Sequence, residues 1–161
     1  MADGLGGDRR RGRRDQRGAA AVEFALVLVP LLIILFGIIQ YGFYFWAMQG
    51  GSDIARDAAR RAAVGSPAAC TPFKDAVKSE IDSLVGSGKV VGISRTFDQD
   101  ATLPRTSATD VVVSDRVRVQ VTFKGYDFHF PFVPFIHDGV VTSSAEARVE
   151  NVTTQPGLTC S

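Results

Sequence analysis

The sequence predicts an α+β chain: one long N-terminal transmembrane helix, then a small extracytoplasmic head of one or two helices on an antiparallel sheet. Three observations carry this. An uncharged apolar run follows an arginine-rich start, a helical 3.6-residue periodicity occupies the middle, and strict two-residue alternation marks two stretches of the C-terminal half. With 161 residues there is room for one membrane segment and one small domain, which excludes a large two-lobed enzyme.

Residues 1–18 are rich in Gly and Arg and lack apolar periodicity, so they read as a disordered cytoplasmic leader. Arg9, Arg10, Arg11, Arg13, Arg14 and Arg17 outnumber Asp3, Asp8 and Asp15. Arginines beside a span stay in the cytoplasm, which places the N-terminus inside and everything after the span outside. The rest of the chain carries slightly more acidic than basic residues, so no nucleic-acid-binding face is expected and the juxtamembrane position accounts for the arginines.

The second segment, 19–49, is the transmembrane helix. Its apolar run is long enough to cross roughly 30 Å of hydrocarbon at about 1.5 Å per residue. Tyr41, Phe43, Tyr44, Phe45 and Trp46 would sit at the outer interface, where amphipathic rings are favoured. A cleaved secretory signal is excluded by polarity, because the small residues Ala19, Ala20 and Ala21 come before the apolar run and the bulky aromatics end it. Pro30 removes an N–H and crowds the carbonyl of Leu26, which predicts a kink. Ala21 and Ala25 have the small-xxx-small spacing that lets membrane helices approach.

Glu23 is the only formally charged side chain between Ala19 and Met48. A carboxylate costs about 2.5–3.5 kcal/mol at the centre of a span and less near its end, so something should compensate it.

Gly50 and Gly51 predict a hinge, with Ser52 capping an alanine-rich helical extension over 50–65 that stops at Gly65 and Pro67. In it Ile54, Ala55, Ala58, Ala59, Ala62 and Ala63 form a narrow apolar stripe suited to close contact, and Asp57 pairs at helical spacing with Arg60 and Arg61.

The head, 66–161, opens with Thr71-Pro72, a cap and a first-turn proline. Phe73, Ala76, Val77, Ile81, Leu84 and Val85 then make an amphipathic helix ending at Gly86. Residues 90–97 can form a strand, and 98–109 form a polar loop containing Pro104. Val117, Val119, Val121 and Phe123 alternate with Arg116, Arg118, Gln120 and Thr122. Val141, Ser143, Ala145, Ala147 and Val149 alternate with Thr142, Ser144, Glu146 and Arg148. One helix should cover one face of this sheet.

Gly18 followed by Ala19-Ala20-Ala21-Val22-Glu23-Phe24 and a long apolar helix resembles the processing site of type IV pilin-like proteins. The longer run through Leu26, Pro30, Gly37, Gln40, Tyr41 and Gly42, with the downstream Ala55-Arg56-Asp57-Ala58-Ala59-Arg60, is similar to the TadE family of minor pseudopilins of tight-adherence (Flp) pili. The resemblance covers roughly residues 17–64 and does not reach the head. It implies that a membrane prepilin peptidase cuts between Gly18 and Ala19. It further implies that Glu23 and Phe24 serve assembly and register, and that the partners are the membrane, the peptidase, other pilins or pseudopilins and the pilus assembly platform. After such a cut the new amine of Ala19 would lie about 6 Å along the helix from Glu23. The carboxylate would then be compensated by its own terminus, by a neighbouring subunit's terminus, or by protonation. The rival reading is an uncut single-pass anchor whose head is a binding module.

Cys70 and Cys160 are the only cysteines and fall on the predicted outer side, where disulfides persist. A bridge is expected, with two unpaired thiols or an intermolecular link as alternatives. Closing so long a loop would stabilise the head by up to roughly 4–5 kcal/mol in the chain-entropy model. The phenylalanine run 128–136 either lines the head core, the favoured reading, or forms an exposed patch. His129 and His137 near Asp127 and Asp138 superficially suggest a metal or acid/base pair, but loop histidines are usually polar surface, and no catalytic motif is present. No metal, cofactor or small-molecule substrate is expected. A membrane-tethered hydrolase would need a convergent polar pocket in the head. Asn151-Val152-Thr153 fits a glycosylation sequon and is discounted, because the pattern recurs by chance.

Overall fold

The computed structural model describes residues 11–65, 69–99, 111–130, 133, 136–150 and 159–160, without side chains for 11–17 and 136–137. In chain order these form α1 (Arg11–Ala63), α2 (Cys70–Val85), β1 (Val90–Asp98), β2 (Arg116–Lys124), a short 3₁₀ turn (Ile136–Gly139) and β3 (Val140–Arg148). The expected α+β architecture is present. Residues 1–10, Pro67, Pro104, Phe132, Pro134, Phe135 and the Asn151 sequon lie outside the described residues.

One helix of 53 residues dominates the molecule. At about 1.5 Å per residue it is roughly 80 Å long, far more than the head can cover. It begins at Arg11 rather than near Ala19, so the second half of the expected disordered leader is helical, and it continues through Pro30. It also continues through Gly50 and Gly51, where a hinge was expected. The reason is packing. A Cβ on Gly50 would stand 2.7 Å from Leu84 Cδ1, and one on Gly51 would stand 2.7 Å from Phe123 Cε1. These glycines are the places where α2 and the sheet come closest to α1, so their helix-weakening cost of about 1 kcal/mol each is offset by contact rather than spent on a bend.

Buried positions on α1 recur at Gln40, Tyr44, Ala47, Gly51, Ala55, Ala58 and Ala62, one stripe at helical spacing. None of residues 18–39 is buried. The helix stops where predicted. Gly65 adopts φ 73°, its N–H donates to Ala62 O at 3.1 Å, and Glu150 N–H donates to Ala63 O at 3.0 Å, so terminal carbonyls are satisfied from within and from the strand end. Arg60 and Arg61 lie in the last turn, favourable to the helix dipole. Arg61 reaches Asp57 at 2.9 Å and also pairs with Glu80 of α2.

α2 starts one residue before the expected cap. Its N-cap is Ala69, with no side-chain capping bond, and Thr71 lies inside the helix. Gly86 closes it at φ 88°, with its N–H on Asp82 O at 3.0 Å. Phe73, Val77, Ile81 and Val85 form its buried face.

The strands make one antiparallel sheet in the order β1-β2-β3. Val119 is paired with Arg95 on one side and Ala145 on the other, and Phe123 is opposite Val141. On β2 the period of two is strict: Val117, Val119, Val121 and Phe123 are buried, while Arg116, Arg118, Gln120 and Lys124 are exposed. Covering the inner face takes two helices where one was expected. The alanine half of α1 lies over β3 and β2, and α2 lies over β1. The strand under α1 carries Ser143, Ala145 and Ala147 inward. Small side chains on both partners let helix and sheet approach, and the larger Val, Ile and Phe residues fill the space beneath α2.

Arg95 is fully buried on that inner face, its guanidinium 4.5 Å from the Phe73 ring and 5.7 Å from Phe97. Burial pulls its pKa below the ordinary value. Its backbone pairs with Cys160 in both directions at 2.8 Å, which ties the chain end to the edge of β1. Cys160 in turn is bridged to Cys70 at the start of α2, with Cα atoms 5.6 Å apart. The expected bridge between the two cysteines is therefore present.

Candidate functional site

The residues singled out in the sequence for processing and assembly all lie on the half of α1 that the head leaves bare. Gly18, Ala19, Glu23, Phe24 and Pro30 are exposed, and nothing lies within 4 Å of a Cβ built on Gly18. Phe24 and Val22 are each 66% exposed and Leu26 is 73% exposed. An exposed apolar surface of this size is not compatible with water on all sides. Among the described residues α1 is the one helix long and apolar enough to cross a membrane. The segment has the properties of a single-pass anchor.

Glu23 projects from this apolar surface and has no ion-pair partner among the described residues. Ala19 precedes it by about one helical turn, so an amine created at Ala19 would lie within reach of the carboxylate on the same helix. The Gly18–Ala19 bond itself is inside regular helix. A protease binds its substrate extended, so cutting there requires this turn to unwind. Gly18 lowers that cost, because glycine is about 1 kcal/mol less favourable than alanine in a helix.

A second constellation escaped the sequence reading. After β2 the chain turns back and runs down α1 toward the bare half. Gly125 starts this strap beside α1: a Cβ placed on it would stand 3.7 Å from the Ala47 methyl, and its N–H bonds Gly139 O at 2.8 Å. Tyr126 then meets Phe43 and Trp46 with ring centroids 5.9 and 6.5 Å apart, Phe128 meets Phe43 at 5.2 Å, and Phe130 stacks on Phe36 at 4.7 Å. Gln40 holds the strap at its middle. Its Nε2 donates to Asp127 Oδ1 at 3.3 Å, and its Oε1 accepts the Phe128 N–H at 3.2 Å. Asp127 Oδ1 also accepts the His129 N–H at 2.9 Å, closing a local turn in which His129 adopts φ 49°.

The amide of Gln40 is only 1% exposed. A buried amide left unpaired costs about 1–3 kcal/mol, so these two bonds fix where the strap sits. Phe128 and Phe130 thus belong neither to the head core nor to a separate patch. They lie along α1, and Phe128 keeps 43% of its surface exposed. One signal in the sequence could have revealed this. Gln40 is the first side-chain amide after the apolar run begins, and the Tyr126-Asp127-Phe128-His129-Phe130 segment alternates aromatic with polar residues.

His129 lies against Asp127, with Nε2 3.2 Å from Oδ2, and is exposed. The side chain of His137 lies outside the described residues. No group of three His, Cys, Asp or Glu side chains converges among the described residues.

Residues 18–60 match the family of TadE-like proteins. The matched segment starts at Gly18 and ends within the alanine-rich half of α1, and the sheet lies wholly outside it. Neither a curated protein nor a solved structure matches the chain.

Proposed function

We propose that this chain, whose long N-terminal helix is TadE-like, is a minor pseudopilin that takes part in the biogenesis of Flp-type tight-adherence pili. The observation that carries the reading is the family match over residues 18–60, which begins at the residue before the proposed cut and takes in the exposed apolar side chains of α1 from Val22 to Ile39.

In this reading a membrane prepilin peptidase hydrolyses the Gly18–Ala19 amide on the cytoplasmic side. Water supplies the hydroxyl to the Gly18 carboxyl and the proton to the new Ala19 amine. That cationic amine compensates Glu23 on its own helix or on a neighbouring subunit, and the second arrangement sets axial register between subunits. The bare half of α1 anchors the chain in the cytoplasmic membrane and packs against other pilins or pseudopilins and the assembly platform. The head stays on the outer side, where the Cys70–Cys160 bridge persists.

An uncut envelope protein with a single anchor is the second reading. It is favoured by the placement of Gly18 and Ala19 inside regular helix, where no extended segment is offered to a protease. Intact mass and N-terminal sequencing of the protein from native membranes, with and without the peptidase, separate the two. An N-terminus at Ala19 that reverts to the full leader without the peptidase is the expected outcome. An uncut chain in both strains would leave the anchored-protein reading in its place.

A further inference from the structure

The strap over 126–130 sits at a depth that matters. From Ala19 to Ile39 a helix rises about 30 Å, the thickness of a bilayer's hydrocarbon. If α1 spans with Ala19 at the inner boundary, Phe36 lies just inside the outer edge of the hydrocarbon, Gln40 lies at that edge, and Phe43 and Trp46 lie among the headgroups. The strap descends across this boundary. Phe130 is stacked on Phe36, Phe128 meets Phe43 edge-on, and Tyr126 stands between Phe43 and Trp46. The strap rings also stack on one another, with centroids 6.3 Å apart for Tyr126 and Phe128 and 5.6 Å for Phe128 and Phe130.

Beside the strap is an open hollow of about 600 Å³ lined by Lys89, Lys124, Asp127, His129 and Asp138. Lys89 holds its ammonium 4.8 Å from the centre of the Tyr126 ring, and the Lys124 N–H donates to Lys89 O at 2.8 Å. Two cations thus flank the upper end of an aromatic ladder whose lower end reaches hydrocarbon depth. Aromatic rings at the headgroup level, apolar rings below them and lysines above is the order in which a bilayer's outer boundary is layered. Asp127 is engaged with Gln40 and His129, so the hollow presents two lysines beside one further carboxylate, Asp138.

We propose that this strap is a second membrane contact: Phe128 and Phe130 enter the outer acyl boundary, and phospholipid phosphates seat against Lys89 and Lys124 in the hollow. The occupant is lipid because the strap's rings pack on Phe36 and Phe43, at the top of the half of α1 that exposes large apolar side chains from Val22 to Ile39. Gln40 is the positioning residue. It satisfies the strap's backbone at the depth where water is lost, and so fixes the tilt of the head on the membrane. The inference needs only that α1 spans a membrane, and stands apart from entry into a pilus.

Trp46 is the sole tryptophan, so the full chain lends itself to depth measurement by quenching with bromine-labelled lipids. In a Trp46→Phe background, Phe128→Trp is placed in nanodiscs of phosphatidylethanolamine and phosphatidylglycerol. The expected result is a blue-shifted emission, stronger quenching by shallow than by deep bromines, and protection from acrylamide. Adding Gln40→Leu should shift the emission red and restore acrylamide access, and Lys89→Glu with Lys124→Glu should reduce the shallow quenching. A strap tryptophan that is unquenched and open to acrylamide overturns the proposal. So does one shielded only at high protein-to-lipid ratio, which would assign the strap to a neighbouring protein instead. Unchanged emission on Gln40→Leu, or unchanged quenching on the double lysine change, would overturn the clamp or the phosphate seat respectively. Leu31→Trp in the same background reports insertion separately. Deep quenching there with an exposed strap overturns the strap alone, whereas its absence removes the span on which both readings depend.

Discussion

The two halves of α1 are one helix with opposite relations to their surroundings. Over 22–39 most side chains are large and apolar and none is buried, and over 47–63 the inward side chains are small and buried. Helix propensity does not separate them. The difference lies in what each half must touch. A helix facing lipid gains from bulky apolar groups all round, and a helix lying on a sheet gains from a stripe of alanine and glycine that lets backbones approach. Gln40 stands at the changeover, where the buried stripe begins, and its amide binds the returning strap. The head is therefore built onto the upper half of the helix and not joined to it through a flexible hinge.

Four measurements would break or sharpen this contrast. The largest effect is expected where α1 rests on the sheet. Phe123 is fully buried against Gly51, and Phe123→Ala should cost the head about 3–5 kcal/mol in chemical unfolding in detergent while leaving membrane insertion unchanged. An equal loss of insertion would show that the halves are not independent. Replacing Cys70 and Cys160 by serine should cost about 2–4 kcal/mol by the same measurement, because the closed loop spans 90 residues. Reducing agent should lower wild-type stability to match.

Gly51→Leu comes next, at about 1–3 kcal/mol, since even the first added carbon meets Phe123 at 2.7 Å. A hinge at this position would instead tolerate the change, or be stabilised by it. The smallest effect on the head is expected from Glu23→Ala on the bare half. Head stability should stay within about 0.5 kcal/mol of wild type, as for a surface change, and insertion should remain intact, while piliation is impaired. Normal pili in that variant would remove the role proposed for Glu23.

Exposed ion pairs contribute little to either half. Arg118 is opposite Glu146 across β2 and β3, with Nε 2.8 Å from Oε1, on the open face of the sheet. The carboxylate's hydrogen bond raises the Arg118 pKa, but the guanidinium is charged at any physiological pH regardless, so its own titration adds no pH-dependent stability there.

Much of the molecule was legible in residue order because its signals are local. The alternation of Val117, Val119, Val121 and Phe123 with polar neighbours gives β2 directly, and the spacing of Phe73, Val77, Ile81 and Val85 gives the buried face of α2. Gly65 and Gly86 stop both helices because a positive φ suits a residue without Cβ. The apolar run gives the span, and the segment from Gly18 gives the family resemblance. Gly50 and Gly51 misled because glycine has two uses. Flexibility predicts a hinge, whereas close approach predicts a contact, and only the positions of Leu84 and Phe123 decide between them.

Tertiary structure alone decided the features that join distant parts of the chain. That α1 covers β2 and β3 depends on matching its alanines with Ser143, Ala145 and Ala147, far away in the chain. The Cys70–Cys160 bridge was expected from the two cysteines, but that Cys160 reaches it by pairing its backbone with Arg95 of β1 was not. The strap depends on Gln40 finding Asp127 and Phe128, contacts separated by 87 and 88 residues. Periodicity reports which face of an element is apolar. Which other element comes to lie against that face, and at what depth, is set by the folding of the whole chain.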